Sequence, residues 1–268
     1  MTRLAIIGTG RLGTTLLRAA AAHAPELALS ATARRRAPLE ALRREIPSLT
    51  IGAPEEIIRA ADLVLPCVPP GAYRTLIASI APHLAPDAIL VSVTNGVPLA
   101  AIAEHVRAPV VKVIATIAHT VGRGVSLLTA GPGAQPEHIE TVRRVFARFS
   151  LPVVVPEQDD RVASNIAGSA LALFAMLGDI FLAANARRAV ALDRAVLDAM
   201  MAETLAAIAA LVQSGHSWHD IVAATATPGG MTQAALDVLA GRFPDLAEDM
   251  VAATFARQAA IAGTPHRP

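Results

Sequence analysis

In 268 residues this chain has one cysteine, one tryptophan, one tyrosine and one lysine. A single thiol cannot close an internal disulfide or furnish a cysteine cluster for a metal. Cys67 lies in the apolar run LVLPCV and reads as a small buried hydrophobe. Aromatic residues make up only 3% of the chain, too few for a platform on which single-stranded nucleic acid stacks. Charge is scarce at 17% and nearly balanced at +1, and the arginines are scattered except at Arg34, Arg35 and Arg36, so bulk electrostatics give no support to nucleic-acid binding. No secretory leader is expected either, because MTRLAIIGTG runs directly into a strand and a glycine loop. The mean hydropathy is high at +0.48, but the longest apolar stretch, Ser169 to Ala186, is interrupted by Asp179. No membrane-spanning helix and no membrane partner are expected. The chain is globular, 53% hydrophobic and long enough for one large domain or two modest ones, and a cytoplasmic location is expected.

What is present has two textures. The first half alternates short apolar runs with amphipathic stretches. The runs are Leu4–Ile7, Leu27–Thr32, Leu49–Gly52, Ala61–Val68, Ala88–Val93, Val110–Ala115, Gly124–Ala130 and Pro152–Pro156, and the helical patterns include Thr14–Ala24 and Pro136–Phe149. This alternation predicts an α/β Rossmann-type domain, a parallel sheet covered by helices, over residues 1–157. From about Asp159 to Ala262 the chain is alanine-rich and helix-periodic, broken mainly at GHSWHD and TPGG. Residues 158–268 are therefore expected to form an all-α helical bundle. Its polar residues are too few to cover every helical face, which favours a homodimer or a multiple of dimers.

Gly8-Thr9-Gly10-Arg11-Leu12-Gly13 follows the first strand and opens the first helix. The first glycine permits the tight turn, the second lets the backbone approach a pyrophosphate, and the third lets helix and strand pack closely. Amides of the helix N-terminus then face the anion. An NAD-binding fold would place an acid about twenty residues further on. Here the second strand ends Thr32-Ala33-Arg34-Arg35-Arg36, with no acid and with cations suited to a 2′-phosphate, so NADPH is expected in preference to NADH. A solvated basic helix start is the expected role of at least one of the three arginines.

Several strings resemble the pyrroline-5-carboxylate reductase family, which reduces a cyclic imine to proline with NAD(P)H. GTGRLG is similar to the family's nucleotide loop, and ADLVLPCVPPGAY to its ADVVILAVKPQ strand. VSVTNGVPL resembles the strand ending SxAAGV, KVIATIAHTVGRG resembles RxMPNTPALVGEG, and SNIAGSALALF stands where the family has LSGSGPAYFF, with Asp179 matching a carboxylate one helix further on. The most specific match is TPGGMT, Thr227 to Thr232, for SPGGTT. The resemblance implies cofactor contacts at Thr32, Val68, Pro69 and Asn95 besides the glycine loop and Arg34 and Arg35. It also implies a substrate carboxylate held by Gly229, Gly230, Met231 and Thr232, with Thr227 and Thr232 as the catalytic hydroxyls. In the family the pocket lies between one chain's nucleotide domain and its partner's helices. The TPGG string makes physical sense without the family, because helix-terminal amides flanked by hydroxyls form an anion site.

Departures bear on the substrate. MPNTP has become Ile114-Ala115-Thr116-Ile117-Ala118, GSGPAY has become Gly168-Ser169-Ala170-Leu171-Ala172-Leu173, and the first threonine of SPGGTT is Met231. The reading is an NADPH-dependent reductase of a cyclic imine carboxylate, giving proline or a related cyclic amino acid. The alternatives are a reductase of another imine or carbonyl substrate in specialised metabolism, and a non-catalytic NADP-binding protein. No metal site is expected, since His216 and His219 fall in an interhelical turn without other ligands nearby. Lys112 stands where the family has arginine and either faces the cofactor cleft or reaches solvent. His119 is a candidate proton source beside water. Asp179, in an apolar helix, should meet a backbone donor, a hydroxyl or an arginine, with the substrate pocket as a second reading.

Overall fold

The computed structural model describes residues 1–94 and 97–262. Its contacts divide the described residues into two units, one of Met1–Ser169 with residues 258–262, the other of Ala170–Arg257. Residues 158–169 thus group with the sheet rather than with the helices that follow.

The first unit is built on eight strands: β1 (Arg3–Ile7), β2 (Ala28–Thr32), β3 (Thr50–Ile51), β4 (Leu63–Pro66), β5 (Ile89–Ser92), β6 (Val110–Ile114), β7 (Val125–Ala130) and β8 (Leu151–Val154). They lie in the order β3-β2-β1-β4-β5-β6-β7-β8. Each expected apolar run holds one strand. Successive side chains alternate faces, so Leu4 and Ile6 join one buried cluster while Ala5 and Ile7 join the other. Helices α1 (Arg11–His23), α2 (Arg36–Glu45) and α6 (Pro136–Phe146) cover the first face through Leu16, Leu17, Leu42, Val142 and Phe146. Helices α3 (Pro54–Arg59), α4 (Pro70–Ile80) and α5 (Leu99–Ala103) cover the second through Ile57, Tyr73, Ile77 and Ile102. One pairing departs from the all-parallel expectation, because β7 runs antiparallel to β6. The link between them holds no α-helix, only the 3₁₀ turn Ile117–Val121, and a parallel return needs a longer crossover.

A short helix, α7 (Asp160–Ser164), continues into a π-helical turn, Asn165–Ser169, and both pack on β7. The second unit is helical: α8 (Ala170–Ala186), α9 (Arg194–Gln213), α10 (Trp218–Thr225), α11 (Met231–Ala240) and most of α12 (Phe243–Ala262). Not one residue from 170 to 257 is buried. Asp179 is 68% exposed and meets an arginine, Arg194, at 2.5 Å; Arg194 also reaches Asp198 at 2.8 Å.

The expectation that no segment is long and apolar enough to cross a membrane does not hold. Glu157–Ala186 and Arg194–Gln213 both are, by length and composition, with mean hydropathies of 2.0 and 1.8 over their most apolar 18 residues. Asp179 interrupts the first stretch without offsetting the aliphatic residues around it.

Candidate active site

The sheet brings the carboxyl ends of β1, β2, β4, β5 and β6 to one edge, and chain order reverses between β1 and β4, the position at which open α/β sheets bind their ligands. The glycine loop sits there. Gly8 has φ +100, and a Cβ on it would lie 2.6 Å from the Cys67 carbonyl oxygen; its amide donates to the Thr32 carbonyl at 2.8 Å. A Cβ on Gly13 would overlap the carbonyl oxygen of Gly8, so this glycine lets α1 approach the loop. Gly10 is different. It is the N-cap of α1, its backbone is extended, and nothing lies within 4 Å of where its Cβ would be. Helix α1 starts with no capping side chain and no acid in its first turn, which leaves its first amides open to an anion. The loop therefore fits a pyrophosphate: two glycines are required by the fold, and at the third the backbone stands open to a molecule approaching from outside.

The same edge collects other expected contacts. Thr32 is 6% exposed and closes β2; Val68 packs near Gly8, with its Cγ1 3.2 Å from that glycine's would-be Cβ; Pro69 caps α4; Thr9 accepts from the Thr14 hydroxyl at 3.4 Å. Arg11 is exposed and Leu12 half-buried against the core. Asn95 lies outside the described residues. Arg34, Arg35 and Arg36 are exposed, but Arg36 meets Glu40 at 3.5 Å within α2, whereas Arg34 and Arg35 have no ion-pair partner among the described residues. Arg36 is thus the solvated helix start, and the other two are free to meet a phosphate. Burial pushes the half-buried Cys67 thiol up to about 12, which keeps it a neutral hydrophobe.

The Thr227–Thr232 loop joins α10 to α11 in the second unit. Gly229 has φ +73, and the Thr227 hydroxyl folds over Gly230, leaving no room for a Cβ there. Gly230 is the N-cap of α11, its amide donates to the Thr227 carbonyl at 2.9 Å, and no side chain caps the helix. Thr227, Thr232 and Met231 are exposed, Met231 to 93%. The loop thus presents open amides, two hydroxyls and an apolar side chain.

Two expectations need correcting. Lys112 neither faces a cleft nor reaches solvent: it is 7% exposed in β6 and paired with Asp160, itself 6% exposed at the start of α7. Sequence reasoning misses Asp160 because the partners are 48 residues apart and no periodicity links them. His119 is fully buried with both ring nitrogens engaged, by the Thr116 amide at 3.2 Å and the Ser126 hydroxyl at 2.7 Å, so it is no free proton source. Among the described residues no group of three or more His, Cys, Asp or Glu could hold a metal.

Comparison with known proteins agrees with this anatomy. Residues 3–96 match the family model described as NADP oxidoreductase coenzyme F420-dependent, and residues 157–261 match that for pyrroline-5-carboxylate reductase dimerisation. The pyrroline-5-carboxylate reductase of Mycobacterium tuberculosis (strain ATCC 25618 / H37Rv) is 27% identical over 262 residues, covering 88% of each chain. Two solved structures share the fold over nearly the whole length. A pyrroline-5-carboxylate reductase from Coxiella burnetii has a TM-score of 0.86 at 16% identity, covering 98% of this chain and 99% of its own. The Plasmodium falciparum pyrroline carboxylate reductase with NADP bound has a TM-score of 0.82 at 19% identity, covering 97% and 98%. The chain thus combines a Rossmann-type sheet domain at one end with a matched pyrroline-5-carboxylate reductase dimerisation domain at the other, and it is similar to pyrroline-5-carboxylate reductases along most of its length.

Proposed function

We propose that this chain is an NADPH-dependent reductase of a cyclic imine carboxylate, with pyrroline-5-carboxylate as the reference substrate. The observation that carries the reading is the uncapped start of α11, where a positive-φ glycine, an N-cap glycine and the hydroxyls of Thr227 and Thr232 leave donors open to a carboxylate. The glycine loop would hold the pyrophosphate, and Arg34 and Arg35 the 2′-phosphate. The bound cofactor supplies a hydride to the imine carbon. An imine that arrives protonated asks little acid–base chemistry of the protein, whose task is to orient it and exclude water. Thr232 and the open amides of the first turn of α11 orient the carboxylate, and Met231 contributes an apolar wall. A second reading, a different imine or carbonyl substrate on the same scaffold, is favoured by the apolar Ala115, Ile117, Ala118 and Met231 at positions where the family is polar or shaped by proline.

A panel of cyclic imine carboxylates and their methyl esters, followed by NADPH oxidation, tests the proposal. Thr232→Ala should lower kcat/KM on the acid about ten- to a hundredfold, the loss of a hydrogen bond to a charged group, while NADPH affinity is unchanged. Wild type should reduce the ester poorly. If wild type and Thr232→Ala treat acid and ester alike, the loop is a helix connector and the substrate assignment fails.

A further inference from the structure

We infer that the buried Lys112–Asp160 pair is a positioning device, holding the π-helical turn Asn165–Ser169 in place for turnover rather than stabilising the fold. The pair is unlike the other ion pairs among the described residues. Its side chains are 8% and 9% exposed, and every other pair has both partners at 36% or more. Strand register sets Lys112 between Ser92 on β5 and Thr129 on β7, both buried, so a polar stripe crosses the centre of an aliphatic sheet. The chain has one lysine, and it is spent here.

Stability does not explain this arrangement. Desolvating two charges costs about as much as their attraction returns, and well-packed apolar replacements for a buried pair are commonly as stable or more so. Geometry does explain it. Asp160 is the first residue of α7, its Oδ1 lies 3.5 Å from the Ser164 hydroxyl one turn later, and α7 runs without a break into the π-helical turn. Lys112 therefore fixes the base of a continuous helical segment relative to β6, two residues before that strand ends at the ligand-binding edge of the sheet.

The turn bears the marks of an element kept for something other than packing. π geometry is uncommon and concentrates at functional sites. Gly168 has ordinary φ, and a Cβ on it would meet nothing within 4 Å, so this chain's own packing does not demand glycine there. Asn165 Oδ1 and Arg161 Nε are buried without a partner among the described residues, a cost that a segment free to relax would shed. Resting on the reductase reading above, the dihydronicotinamide half of the cofactor and the imine ring are the groups this turn would position.

The test is the double variant Lys112→Met/Asp160→Leu, compared with each single variant. The single variants leave a buried charge unpaired and should melt well below wild type. The double variant should melt at or above wild type, yet show at least tenfold faster amide exchange across residues 165–169 and a kcat lowered by about ten- to a hundredfold, the range expected of misplacement. KM for NADPH should change little, since the glycine loop is untouched. A double variant that fails to fold or melts with the single variants shows that the pair stabilises the fold, and overturns the inference. So does one with wild-type exchange at 165–169, or one with wild-type kcat. If wild type itself reduces no imine, the proposed function fails, while melting and exchange still decide whether the pair positions the turn.

Discussion

At His119 a run of hydrogen bonds fixes the protonation state from one end. The Thr116 amide can only donate, so Nδ1 accepts and the ring proton sits on Nε2. Nε2–H then donates to Ser126 Oγ at 2.7 Å, Ser126 to Ser150 Oγ at 2.7 Å, and Ser150 to the Phe146 carbonyl at 2.8 Å. The ring is neutral, and burial holds its pKa below the ordinary histidine value. Because the folded pKa is the lower one, the unfolded chain takes up the proton first. The stabilisation is thus complete above about pH 6.5 and is lost as pH falls from there toward the folded pKa. His119→Gln keeps a donor for Ser126 and cannot titrate. Urea midpoints at about pH 7.5 and about pH 5 should differ less in this variant than in wild type; an equal difference would show that His119 does not contribute. Arg34 and Arg35 make the matching cofactor prediction. Neither has an ion-pair partner among the described residues, so Arg34→Ala or Arg35→Ala should cost NADPH about 1–3 kcal/mol of affinity and NADH almost nothing. Fluorescence titration with both cofactors checks it, and equal losses would remove the 2′-phosphate from the account.

Among the elements, the glycine loop separates positions that the fold requires to be glycine from one that it leaves open. A methyl at position 13 runs into the Gly8 carbonyl, so Gly13→Ala should destabilise by about 1–3 kcal/mol through forced separation of α1 and β1. A methyl at position 10 meets nothing, and the N-cap backbone, φ −74 and ψ −169, suits alanine. Gly10→Ala should therefore melt with wild type while NADPH affinity falls about tenfold or more, because the backbone no longer approaches the pyrophosphate. Thermal melts paired with cofactor titration distinguish the two, and a Gly10→Ala that binds normally would place the pyrophosphate elsewhere. Much at this scale is legible in the sequence: eight apolar runs hold eight strands, even one as short as Thr50–Ile51. What is not legible is long-range. The antiparallel return of β7 depends on the length of a link, the Lys112–Asp160 pair joins elements far apart in the chain, and the Ser126–Ser150 bond joins a strand to the end of a helix. Local pattern fixes which face of an element is apolar, whereas these features need the register of one element against another.

In the whole molecule the second unit needs a cover that its own fold does not provide. A helical segment that buries none of its residues from 170 to 257 cannot repay its own conformational entropy. Phe174 and Phe181, two turns apart on one face of α8, are 63% and 60% exposed, and Met176 at 63% and Ile180 at 55% are exposed on another face of the same helix. A bilayer would cover such faces, and two stretches here have the length and hydropathy for one. A second copy would cover them equally well. The dimerisation-domain match, residues 157–261, contains both stretches and favours the second copy. Scattered small residues point the same way, since alanines let helices of two chains approach closely while leaving each chain's own bundle underpacked. Light scattering at micromolar concentration without detergent should therefore give a dimer or a multiple of dimers. Phe174→Glu/Phe181→Glu places two charges on one face of α8 and should abolish that assembly, with a loss of helical ellipticity, because these helices have little core of their own to fall back on. The Rossmann-type unit carries a complete core on both faces of its sheet, so NADPH binding should survive the double substitution at reduced melting temperature. A wild-type chain that stays monomeric without detergent and sediments with phospholipid vesicles would give these helices to the membrane instead.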